Sequence, residues 1–223
     1  MIIAKKKPFE EIKGSLFDKY KNVLVVGCKG CVAVCLAGGE KETNLMVSEL
    51  TLAVKATQSD MSFEKTTLDR QCDMEFLEEI AGDIDKYDAV LSLACGAGVQ
   101  FMAEKYPSKP VIPAVNTTFI GVNRAMGVYE ERCRACGSCV LDLTAGICPV
   151  TMCSKNIYNG PCGGTNNTSC EIDPNQACAW HTIYTRLSEQ NRLENILEVK
   201  PVTEWVNTVP RELTQPGYET PAE

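Results

Sequence analysis

Between Cys133 and Cys178 the chain carries eight of its thirteen cysteines, and almost none of the apolar periodicity from which a core is built. Cysteine, glycine, asparagine and proline dominate from about Tyr129 to about Asn175. A segment so poor in core residues cannot offset its ordering entropy by burial alone. Metal ligation is the source of stability that this composition implies. Disulfides are the other use of clustered cysteines. The start MIIAKKKPFEEIKG, however, has no apolar core of a secretory signal, which points to the cytoplasm, where thiols stay reduced and bind metal.

The rest of the chain reads as an ordinary globular protein. It has 223 residues, 44% of them hydrophobic and 23% charged, enough for one large or two small domains. A net charge of −7 argues against a nucleic-acid binder, which would carry a clustered basic face, and no apolar run is long enough to span a bilayer. Residues 1–21 have the spacing of a lead-in helix. Val23–Val26 and the run DAVLSLA (88–94) have the continuous apolar character of strands buried on both faces, and Val111–Val115 is a third strand. Helices are expected around 45–57, 76–80 and 97–106. This alternation predicts a small three-layer α/β domain with a parallel sheet over 1–127. An irregular cysteine-rich iron–sulfur domain over 128–180 follows, then a C-terminal helix and extended tail over 181–223. Trp205, Val206, Val209 and Leu213 make that tail a candidate arm for a partner.

Two cysteine loops follow predicted strands directly. GCKGCVAVC places Cys28, Cys31 and Cys35 after Val26, and CGAG places Cys95 after Ala94. Parallel sheets put their ligand sites outside the carboxyl ends of the strands. If the two strands are neighbours, Cys95 is the fourth thiolate of a [4Fe–4S] site begun by Cys28, Cys31 and Cys35. The bland alternative makes Cys95 a buried thiol behind the sheet. Gly27, Gly30, Gly96 and Gly98 let backbone N–H groups approach the sulfurs. As a dinucleotide fingerprint CGAG is incomplete. Cys72, in the charged stretch DRQCDMEF, is expected to be a bystander.

The second constellation starts as C-x2-C-x2-C at Cys133, Cys136 and Cys139, and continues through Cys148-Pro149 to Cys153, Cys162, Cys170 and Cys178. The opening and the Cys-Pro pair match the bacterial ferredoxin run, but the last gap is longer. Cys133, Cys136 and Cys139 with one later cysteine suit a second [4Fe–4S] cluster. The remaining cysteines suit a further cluster or a zinc, for which Cys178 and His181 have a usable C-x2-H spacing. No acid–base or nucleophile set stands out, so no catalytic residue is assigned.

The strings GCKGCVAVCLAGGEKE, LACGAGVQ and ERCRACGSCVLDLTAGICPVTMCSKNIYNGPCGG, in that order, resemble the family of small iron–sulfur subunits (MetV) of the two-subunit methylenetetrahydrofolate reductase. The same module is known as the methylenetetrahydrofolate reductase C-terminal domain. The resemblance spans roughly residues 20–180. It implies a subunit, not itself catalytic, that passes low-potential electrons to the flavin of a barrel-shaped partner. The partner reduces methylene- to methyl-tetrahydrofolate in the Wood–Ljungdahl pathway. It also implies a donor such as ferredoxin or a pyridine-nucleotide-oxidising module. The chain is too short to hold the barrel as well. Two rivals belong to other classes: a scaffold subunit whose metals only stabilise the fold, and an iron–sulfur protein of a corrinoid methyl-transfer system.

Overall fold

The computed structural model describes residues 1–202, 205 and 209–218. These form two compact units, Met1–Glu131 and Arg132–Glu223. Val206 of the proposed arm lies outside the described residues, while Trp205, Val209 and Leu213 are exposed. Among the described residues, no helix is long and apolar enough to cross a membrane.

The first unit runs β1 (Ile2–Lys6), α1 (Phe9–Leu16), β2 (Asn22–Cys28), α2 (Cys31–Val34), α3 (Glu40–Thr57), β3 (Ser62–Leu68), α4 (Met74–Leu77), β4 (Ala89–Ser92), α5 (Gly96–Lys105), β5 (Val111–Pro113), β6 (Val115–Ala125) and β7 (Val128–Cys133). Strands β3, β2, β4 and β5 form one sheet in that order, with every neighbouring pair parallel. The pleat explains the unbroken apolar character of β2. Val23 and Val25, with Leu91 and Leu93, enter one core with Ile12, Leu16, Met46 and Leu50 of α1 and α3. Leu24, Val26 and Val90 enter the opposite core with Leu77, Ile80, Met102 and Tyr106. Successive side chains alternate faces, so a central strand with helices on both sides must be apolar at every position.

A second, antiparallel sheet was not evident from the sequence. Its order is β1–β6–β7, with Ile2 opposite Ile120 and Lys6 opposite Val115. The expected lead-in helix over 1–21 is therefore wrong in its first third: residues 2–6 are strand, and the helix covers only Phe9–Leu16. Ile3 and Ala4 are both buried, on either side of a register shift in the pairing with β6. The strand expected over 111–115 is two, β5 ending at Pro113 and β6 starting at Val115 in the other sheet.

In the second unit the regular elements are few: α6 (Pro149–Met152), the short pair β8 (Thr165–Asn166) and β9 (Ser169–Cys170), and α7 (Ala179–Glu189). Its core is Ala145, Ile147, Ala179, Trp180, Ile183 and Leu187, with Met152, Cys153 and Cys178 packed alongside. Helix α7 thus supplies the apolar face that the cysteine-rich segment lacks, and the two share one unit. The helix ends at Glu189; Leu193–Ile196 is a single 3-10 turn.

Candidate metal centres

Strands β2 and β4 pair directly, with Val26 opposite Ser92. The loops that follow them therefore open at the same edge of the sheet. Gly38, at the end of the cysteine loop, lies flat on the residue that follows β4: a Cβ there would stand 1.9 Å from the Leu93 carbonyl oxygen. Its own carbonyl accepts the Cys28 N–H at 2.8 Å. The antiparallel sheet walls the same place. Ile3, Ala4, Val115, Phe119 and Tyr129 pack with Cys28, Val32, Cys35, Ala94 and Cys95 in one apolar cluster. The Tyr129 hydroxyl donates to the Val34 carbonyl at 3.0 Å, and the Gly96 N–H donates to Thr117 Oγ1 at 2.8 Å.

Within this crevice the cysteines differ. Cys95 sits at the N-cap of α5. Cys28 is buried and Cys31 half-buried. Cys35 is also buried, and its sulfur turns to the backbone of β1: it accepts the Ala4 N–H at 3.4 Å and faces the carbonyls of Ala4 and Val32, each at 3.6 Å. Burial pushes the Cys35 thiol up, only partly countered by the Ala4 N–H. Cys72 is an exposed residue on the loop after β3. Partial burial of its thiol raises its pKa, and the thiols of Cys95, Cys28 and Cys31 push it the same way.

In the second unit, a cavity of about 190 Å³ is lined by Cys153, Cys162, Cys170 and Cys178, together with Lys155 and His181. One water needs only about 10–15 Å³ of such space, so the cavity has room for more than a small ion. The donors around it suit thiolates. Cys162 Sγ accepts the Gly164 N–H at 3.4 Å and lies 3.7 Å from the Lys155 ammonium, which is also paired with Glu171. The Ile172 N–H holds the Cys170 thiol below its ordinary range, with the Asp173 N–H, the Ser154 hydroxyl and Lys155 adding to the effect. The fold therefore brings the last four cysteines to one cavity.

Cys133 and Cys139 are exposed, and Cys136 and Cys148 half-buried. Ala135, between the first two, takes a left-handed φ of 51°, uncommon for a residue with a Cβ. Its N–H points back to Cys133 Sγ at 3.3 Å. Cys148 lines a neighbouring cavity, with Arg132, Leu141 and Arg186.

Among the described residues, no three His, Cys, Asp or Glu side chains converge on a point that would hold a single metal ion. The cysteines that line the second unit's cavity are soft donors of the kind that hold iron–sulfur clusters or zinc, with His181 beside them. No curated protein and no solved structure matches the chain. Residues 112–206, which hold the cysteine-rich segment and the strands leading into it, match the family described as methylene-tetrahydrofolate reductase C terminal.

Proposed function

We propose that the chain is an iron–sulfur electron-transfer subunit of a methylenetetrahydrofolate reductase complex. The observation that carries this reading is the cavity lined by four cysteines, inside the segment that matches the reductase C-terminal family. Cys153, Cys162, Cys170 and Cys178 would hold one cluster there, and Cys133, Cys136, Cys139 and Cys148 a second. A further site lies in the crevice of the α/β unit, on Cys28, Cys31 and Cys95. When bound, such clusters supply one-electron carriers of low potential. The chain's own residues bind and tune them. Gly164 and Ala135 N–H groups donate to cysteine sulfur, and Lys155 sets a positive charge beside Cys162; both raise a cluster's potential by stabilising its more negative, reduced form. The apolar cluster around Cys28 and Cys95 limits water at the first site. The methylene group is reduced on a flavin-bearing barrel partner, with ferredoxin or a pyridine-nucleotide-oxidising module as donor.

A second reading has one observation in its favour: His181, the chain's only histidine, lines the four-cysteine cavity. A structural zinc there would make the second unit a scaffold. Anaerobic purification followed by iron, acid-labile sulfide and zinc analysis separates the two. Electron transfer requires about eight or more irons per chain, at about four per cubane, and a visible absorption that bleaches on reduction. A colourless chain holding only zinc would refute it. Co-purification with a yellow, barrel-sized flavoprotein supports the folate complex over a corrinoid system.

A further inference from the structure

We propose that Cys72, rather than Cys35, is the thiolate that completes the first site with Cys28, Cys31 and Cys95. This rests on the iron–sulfur reading above and adds a ligand from a third strand. The sheet order β3–β2–β4 puts three adjacent parallel strands side by side. All three end at one edge, and each is followed by a cysteine-bearing loop: Cys72 after β3, Cys28 and Cys31 at and after β2, Cys95 after β4.

The loop after β3 is tied to the other two by specific contacts. The Lys29 N–H donates to the Leu68 carbonyl at 2.9 Å, and the Lys29 ammonium pairs with Asp69 at 2.9 Å. Cys28 Sγ approaches the Asp69 carbonyl at 3.9 Å. Gln71, next to Cys72, is fully buried. Its amide donates to the carbonyls of Val26 and Gly27 at 2.9 and 3.0 Å and accepts the Ser92 hydroxyl at 2.6 Å. One side chain thus bridges the ends of β2 and β4. Its Cβ also lies against Gly98, 3.0 Å from where a Cβ would stand. Residue 72 is thereby fixed above the crevice, and its thiol is in electrostatic reach of Cys95, Cys28 and Cys31.

Cys35 is held the other way. Its sulfur is turned to the main chain of β1 and α2, 3.4 Å from the Ala4 nitrogen and 3.6 Å from the carbonyl oxygens of Ala4 and Val32. The third cysteine of C-x2-C-x3-C is on this reading a core residue, packed with Val32, Ala37 and Ala4.

The test uses the full chain, purified anaerobically. Cys72→Ala should lose about four irons per chain, one cubane's worth, together with one set of reduced-state electron paramagnetic resonance lines. Cys35→Ser should keep the wild-type iron content and all of its lines. Far-UV circular dichroism checks the fold, and Cys72→Ser repeats the ligand test with nearly the same side-chain volume. Alkylation gives an independent readout: Cys72 should be protected in the iron-loaded chain and labelled after chelation, whereas Cys35 should resist labelling in both. Full iron retention in both Cys72 variants, or iron loss in Cys35→Ser equal to that in Cys72→Ala, would overturn the assignment. A wild-type chain without iron would instead sink the parent reading, and this one with it.

Discussion

Gln71 shows how one side chain can order a crevice. It is fully buried and makes three hydrogen bonds, to Val26, Gly27 and Ser92. Gln71→Ala would leave two carbonyls and a hydroxyl without this partner in a dry place, at about 1–3 kcal/mol for an unsatisfied group. Denaturant unfolding of the first unit, followed by far-UV circular dichroism, should show a loss of about 2–4 kcal/mol. A change below about 0.5 kcal/mol would mean that water replaces the amide freely. At this scale the sequence was legible in part. Cys28 and Cys95 could be brought together because each follows an apolar strand. Cys72 could not, because the strand before it was invisible, and the turn of Cys35 toward Ala4 depends on a sheet that no local pattern announces.

At the scale of elements, β3 is the instructive miss. Its sequence SFEKTTL carries Glu64 and Lys65, where a buried strand of a parallel sheet would be apolar. The strand lies at the sheet edge, where charge is tolerated and even protective against edge pairing. Only the Thr66-Thr67-Leu68 end, β-branched and then buried, hinted at it. Helix α7 is the opposite case. Its 3.6-residue spacing of Ile183, Leu187 and Trp180 could be read directly, and the structure puts all three in the core of the second unit. Ile183→Ala should cost about 2–5 kcal/mol through the cavity it leaves. Both tryptophans of the chain, Trp180 and Trp205, belong to the second unit, so tryptophan emission during unfolding reads this loss without interference from the first. An unchanged midpoint would show that α7 is not what holds the unit together.

The two units differ in what holds them. The first has two apolar cores, one on each face of its parallel sheet. The second has a single small cluster and eight cysteines. Removal of metal should therefore act unequally. On chelation, tryptophan emission should shift to the red and limited proteolysis should cut within 132–178, while a fragment near 1–131 survives. Equal resistance of both regions would count against metal as the stabiliser of the second unit. The alternation of strands and helices made the first unit's class legible from the sequence. The packing of α7 with the cysteine-rich segment was not legible, since it joins a periodic stretch to one with no periodicity.

The order β3–β2–β4 has a consequence for biogenesis. The loops carrying Cys28, Cys72 and Cys95 come from the first, second and third strands of that unit to be synthesised after β1, and β4 must insert beside β2 before they face one another. Their crevice does not exist on a nascent chain that has only just exposed Cys28 and Cys31. A metal held there would be loaded into a domain that has already folded, whereas the cysteines of the second unit lie close enough in sequence to be captured as they emerge.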